Sequence, residues 1–170
     1  FESKQCLTVS IDDFYLTKVE QDALAEKTRN PLLRFRGNAG SHDLSLLEKT
    51  LASLKYWTGA VRVPRYNKSL HCGRGDRETI DNWTIVEEQP DVVILEGWML
   101  GFSPLADKTI EEIEAHEVGI ADVNSNLKEY KAVHENVDVW IVLTVEDAEM
   151  VRDWRLEAEQ RMRKSGKPAM

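Results

Sequence analysis

The sequence predicts an α/β fold: a parallel sheet flanked by helices. Three observations carry this. Two apolar runs, residues 91–95 (DVVIL) and 139–145 (VWIVLTV), show no polar alternation, as expected of strands covered on both faces in a parallel sheet. A third run, 6–11 (CLTVSI), is short, apolar and β-branched. Stretches with helical spacing fall between these runs, and strands alternating with helices give parallel pairing.

The elements follow in order. The run 6–11 ends in Asp12-Asp13-Phe14-Tyr15, and 19–27 reads as a short helix. Residues 28–43 hold Pro31, Gly37, Asn38, Gly40 and Ser41, a loop composition. Leu44, Leu47, Leu51 and Leu54 recur at helical spacing, with Asp43 placed to cap the helix and Gly59 just past its end. Residues 61–63 form a short strand stopped by Pro64, and 65–82 read as a long polar loop. The strand 91–95 ends in Glu96-Gly97. The next stretch reads as a helix over 108–117, started by Asp107, and Leu127, Tyr130, His134 and Val137 mark another. After the strand 139–145, a long helix over 146–164 carries Arg152, Arg155, Arg161 and Arg163.

With 170 residues the chain suits one domain with a real core. Apolar residues at 42% and charged residues at 31% exclude a disordered chain. A formal net charge of −8 argues against general nucleic-acid binding, which needs a basic surface. It leaves open a small anion held by local arginines. Cys6 and Cys72 form no metal or disulfide pattern and read as one buried and one loop thiol. No apolar run approaches membrane-spanning length, and no signal or transit pattern is visible.

In open parallel sheets, ligands bind beyond the carboxyl ends of the strands. Two strands here end in acids, at Asp12-Asp13 and at Glu96. Such carboxylates can hold a divalent cation or accept a substrate hydroxyl proton; they can also cap helices or face solvent. Asp13 reads as the structural one, and Gly97 beside Glu96 leaves room for close backbone approach. Arg34, Arg36, Arg65, Arg74 and Arg77 all lie in loops marked by Gly or Pro. Any one of them suits surface pairing, but as a group they suit a carboxylate or phosphate, which guanidinium forks grip in bidentate pairs. Tyr15 and Tyr66 can wall a pocket or fill the core, and His42 and His71 are loop histidines, solvated or at substrate. Arg152, Arg155 and Arg163 share roughly one helix face with Glu159 between them, the arrangement of a phosphate-closing lid or of a solvated face.

Several blocks together resemble the D-glycerate 3-kinase family of the plant and cyanobacterial type. They are Ser10 to Thr17 (SIDDFYLT), Arg36 to Asp43 (RGNAGSHD), Val63 to Ser69 (VPRYNKS), Gly73 to Arg77 (GRGDR), Leu95 to Phe102 (LEGWMLGF) and Trp154-Arg155-Leu156. The blocks keep the family's order over nearly the whole chain. The resemblance implies a P-loop kinase fold related to uridine kinase, pantothenate kinase and phosphoribulokinase. It implies transfer of the ATP γ-phosphate to the 3-hydroxyl of D-glycerate, a step of photorespiration in plants. By it, Asp12 is the general base and a magnesium ligand, and Glu96 takes the magnesium-side acid position. Tyr15, Asp43, Tyr66 and His71 fall where nucleoside kinase relatives touch substrate. Arg36, Arg65, Arg74 and Arg77 are the chemical choice for the carboxylate clamp, and Arg152 and Arg155 for the lid. ATP and magnesium are the expected co-substrate and cofactor, with D-glycerate as the partner and no nucleic acid or membrane. Chloroplast stroma fits a plant or algal source, and cytoplasm a bacterial one.

One part of the pattern is missing. No Gly-Lys-Ser or Gly-Lys-Thr of a phosphate loop occurs, and Gly166-Lys167 runs into Pro168. Residues 1–170 are therefore expected to be a single partial kinase domain, with a lid helix starting at 146–165 and the phosphate-loop strand absent from between 91–95 and 139–145. Such a chain is expected to be poorly stable and inactive alone, or to fill the gap by dimerising, repacking or complementation. A related small-molecule kinase and a non-catalytic anion- or partner-binding module are the alternatives.

Overall fold

The computed structural model describes residues 4–147 and 149–164. Its sheet is built on a parallel pair, β1 (Cys6–Ser10) and β6 (Val92–Glu96), in a register that sets Cys6 against Val92 and Ser10 against Glu96. Two short antiparallel ribbons flank the chain between them. One joins β2 (Val61–Val63) to β5 (Thr84–Val86), and the other joins β3 (Tyr66–Asn67) to β4 (Asp76–Arg77). The stretch 65–82 is thus not plain loop, as the sequence suggested, but holds a hairpin whose ladder is too short to leave an alternating pattern.

Helix α1 (Lys18–Thr28) starts at a capping box: Thr17 Oγ1 accepts from the Glu20 backbone N–H while the Glu20 carboxylate accepts from Thr17 N at 2.8 Å. Such caps are worth about 1 kcal/mol. Helix α2 (Leu44–Lys55) is capped by Asp43, whose Oδ1 accepts from Leu46 N at 3.0 Å, and buries Leu47, Thr50 and Leu54. Helices α3 (Asp107–Glu114), α4 (Ile120–Asn126) and α5 (Lys131–His134) follow, and α3 is preceded by Ala106 rather than capped by Asp107. Helix α6 (Glu149–Lys164) buries no side chain. Positions 148 and 165 of the expected lid helix lie outside the described residues.

The core gathers Val9, Ile11, Phe14, Leu33, Leu47, Leu54, Met99, Tyr130 and Val133. It lies on one face of the β1–β6 pair. Val93 and Leu95 pack against it, whereas Val92 and Ile94 are 46% and 48% exposed. The run 91–95 is therefore covered on one face, not two. The run 139–145 differs more. It is no strand, and Ile141 and Leu143 are 83% and 92% exposed. Its composition favours a buried strand, but a strand needs a neighbouring ladder, and none stands beside it among the described residues. Both cysteines are free and exposed, so Cys6 is not the buried thiol its apolar setting suggested. Among the described residues no helix is long and apolar enough to cross a membrane.

Candidate active site

The site grows from the carboxyl end of β1. The chain leaves the strand in a 3-10 turn, Ile11–Phe14, whose first and last side chains are fully buried. That anchoring turns the two acids between them, Asp12 and Asp13, towards the surface. Glu96 ends β6 directly across from Ser10, so the acids of both strands share one sheet end. Gly97 follows because nothing larger fits: a Cβ there would meet Ile11 Cγ2 at 2.4 Å. The room for close approach read from Gly97 is taken up by Ile11, the residue that precedes Asp12.

The next turn of chain is pinned to the 36–43 loop. Leu16 N donates to Ser41 O at 2.9 Å, Asp43 N donates to Phe14 O at 2.8 Å, and Tyr15 bridges His42. Tyr15 stacks on His42 with ring centroids 4.5 Å apart and meets Tyr66 edge-on at 5.4 Å. His42 is buried, not the solvated loop histidine its neighbours suggested, and burial pulls its imidazole down to about 4, so it is neutral at pH 7.

Asp12 Oδ2 accepts from Lys68 Nζ at 2.7 Å. Burial pushes the Asp12 carboxyl up, but the Lys68 ammonium, the Tyr15 hydroxyl and nearby His42 together bring it below the usual carboxylate range. Its negative charge in turn adds to burial in pushing the Tyr15 phenol up. Asp13 is used differently: its Oδ1 accepts from Tyr66 N at 2.9 Å and its Oδ2 from Arg65 at 3.1 Å, which fastens the β3–β4 hairpin to the turn. Burial raises the Asp13 carboxyl more than these contacts lower it.

Four of the five loop arginines converge on this hairpin, each already engaged, while Arg34 lies over the ring of its neighbour Phe35. Arg36 donates to Gly73 O at 2.9 Å and to Arg74 O, and lies over the Tyr66 ring. Arg74 pairs with Asp22 and lies over Phe35. Arg77, with its side chain only 12% exposed, pairs with Asp43 Oδ2 at 3.2 Å and donates to Tyr15 O at 2.8 Å. Gly75 is required here, since its φ is +74° and a Cβ would stand 2.5 Å from Tyr66 Cε1. His71 Nε2 lies 3.0 Å from Asp76 Oδ2 at the hairpin tip.

Asp12, Tyr15, Arg36, Asp43, Arg65, Tyr66, His71, Arg74 and Arg77 are thus linked through the turn, the 36–43 loop and the hairpin. Arg152 and Arg155 lie on α6, exposed, with Arg152 paired to Glu149 of its own helix at 3.8 Å. Lys68 was missed as a site member; only the fold sets it beside an acid 56 positions earlier. Two shallow grooves elsewhere, lined by residues such as Phe102 and Lys131 or Lys49 and Trp83, include none of these groups. The polar cluster, rather than either groove, is the chemically equipped surface.

Among the described residues no group of three or more His, Cys, Asp or Glu is placed to hold a metal. Asp12 and Glu96 lie at one sheet end, and magnesium is commonly held by one or two carboxylates together with phosphate oxygens and water.

The comparisons with known proteins bear on this geometry. No family model matches the chain. It is 43% identical over 172 aligned positions to the chloroplastic D-glycerate 3-kinase of Arabidopsis thaliana, covering 98% of this chain and 37% of that protein. A probable ATP-dependent kinase of Saccharomyces cerevisiae is 36% identical over 163 positions, 90% of this chain and 55% of that one. Among solved structures, a D-glycerate 3-kinase from Cryptococcus neoformans superposes with a TM-score of 0.86 at 36% identity, covering 96% of this chain and 62% of that one. The chain spans between about a third and two thirds of the length of these relatives. Over nearly all of its own length it is homologous to D-glycerate 3-kinase and shares that α/β fold.

Proposed function

We propose that this chain is the acceptor-binding and magnesium-binding part of an ATP-dependent kinase that phosphorylates D-glycerate to 3-phosphoglycerate. The observation that carries the reading is Asp12, an ionised carboxylate at the same sheet end as Glu96, in a chain 43% identical to a D-glycerate 3-kinase. A carboxylate held ionised at pH 7 can accept the acceptor hydroxyl proton as that oxygen attacks the γ-phosphorus. The new O–P bond forms as the bond to the β–γ bridging oxygen breaks, ADP leaves, and the proton stays on Asp12. Magnesium, when held by Asp12, Glu96 and the phosphates, would neutralise charge on the transferring group. Tyr15 and Tyr66 wall the acceptor, and Arg152 and Arg155 close over phosphates as a lid. Residues 1–170 act as one unit, in the chloroplast stroma for a plant or algal source and in the cytoplasm for a bacterial one.

The test is turnover by the full-length protein with ATP, magnesium and D-glycerate, read as 3-phosphoglycerate formed, with chelator as the magnesium control. Turnover on another small hydroxy acid or sugar, with none on D-glycerate, would replace the substrate and keep the kinase.

A further inference from the structure

We propose that Lys68, rather than the loop arginines, is the residue that recognises the carboxylate of the acceptor. This rests on the reading of the site as one that phosphorylates a small hydroxy acid.

The four arginines around the hairpin are spoken for. Arg36 is held by two backbone carbonyls and a ring, Arg65 by Asp13, Arg74 by Asp22, and Arg77 by Asp43 and the Tyr15 carbonyl. Each fastens one stretch of chain to another, and drawing one onto a ligand would leave its present partners unsatisfied. Lys68 differs in its partner, which is the proposed base. Its ammonium meets Asp12 Oδ2, and its side chain is 37% exposed.

An acceptor hydroxyl that is to give its proton to Asp12 must come within hydrogen-bond reach of that carboxylate. It therefore enters the Lys68–Asp12 pair. The incoming molecule also brings a further negative charge to a sheet end that already carries Asp12, Asp13 and Glu96. A cation at that point offsets the repulsion, and Lys68 is the one that touches the base. Only one carbon separates the 3-hydroxymethyl group of glycerate from its carboxylate carbon. The four-carbon stem of a lysine can follow that short step while its head turns from Asp12 to the ligand.

The backbone under Lys68 is fixed on both sides. Tyr66 N donates to Asp13, Asn67 Nδ2 donates to Glu78 at 2.8 Å, and Ser69 N donates to Asn67 Oδ1 at 3.1 Å. A flexible charged head on a rigid hairpin suits a group that exchanges one carboxylate for another.

The experiment compares D-glycerate with glyceramide, its uncharged amide, as acceptors for the full-length protein and its K68M and K68R variants. K68M should raise KM for D-glycerate by at least about tenfold, the scale of losing a charge-assisted contact. It should raise KM for glyceramide far less than for D-glycerate, change kcat for the two acceptors by the same factor through the loss of its contact with Asp12, and so erase the preference for the acid; K68R should restore most of it. If K68M does not fold, K68Q reads the same quantities. A preference for the acid that persists without the Lys68 charge overturns the assignment while leaving the glycerate reading intact. A wild-type protein that takes neither acceptor overturns that reading, and the Lys68 assignment falls with it.

Discussion

The Tyr130 hydroxyl lies 2.7 Å from Nδ1 of His42, joining segments 88 positions apart inside the core. The same oxygen accepts from Gly40 N at 3.3 Å. His42 Nε2, on the other side of the ring, is buried with no hydrogen-bond partner, so the Tyr130 hydroxyl is what satisfies the imidazole. Tyr130→Phe removes this partner and strands Nδ1 in the core. We expect a loss of about 1–3 kcal/mol, the cost of an unsatisfied buried polar group, read as a lowered urea midpoint with unchanged slope.

His42 also makes stability depend on pH. Its folded pKa of about 4 lies below the unfolded value of 6.5, so the unfolded chain binds the proton first. Its contribution is fully present above the unfolded value and is lost as pH falls towards 4. The difference amounts to something on the order of 3 kcal/mol. Urea midpoints of wild type and His42→Gln at pH 7, 5.5 and 4.5 should converge as pH falls. A constant gap would refute the assignment.

Gly97→Ala drives a methyl group to within 2.4 Å of Ile11 Cγ2. Both groups are held by backbone, so the strand end must shift. A cost of about 1–3 kcal/mol is expected from such overpacking, seen as a lower melting temperature. Because Ile11 leads directly into Asp12, kcat should fall as well.

Asp43 has two duties that substitution can separate. Asp43→Ala removes both the α2 cap and the Arg77 partner, whereas Asp43→Asn keeps a cap acceptor and loses only the charge. The asparagine variant should be the more stable by about 1 kcal/mol, the value of a cap. Equal midpoints would show that the Arg77 pair carries the whole effect.

Asp12→Asn keeps the shape of the turn and removes the base. A drop in kcat of about 10²- to 10⁴-fold, with KM for D-glycerate moved little, is expected of a general base. A kcat within a fewfold of wild type would take Asp12 out of the proton transfer.

The elements that local pattern specifies were legible in the sequence. The leucine spacing of α2, its Asp43 cap, and the acids closing β1 and β6 all read directly from the residues. What was not legible depends on neighbours distant in sequence. The two-residue strands of the 66–77 hairpin are too short to show a period, and β5 has one strand partner, β2, to define it. The run 139–145 has the composition of a buried strand but no ladder, because composition reports preference while pairing requires a neighbour. The arginines were recognisable as a group, yet their individual duties follow from carbonyls and acids that only the folded chain brings to them. Lys68 carried no signal of its own.

The parallel pairing of β1 with β6 has a kinetic consequence. Cys6 meets Val92 and Ser10 meets Glu96 only once the whole stretch between the strands has been drawn into a closed loop. The entropy of that closure is lost before any ladder contact repays it. The capped helices α1 and α2 can form early and locally, while the acid-bearing sheet end assembles late. Refolding followed by a probe at Trp98, just beyond β6, should therefore lag behind the helical signal.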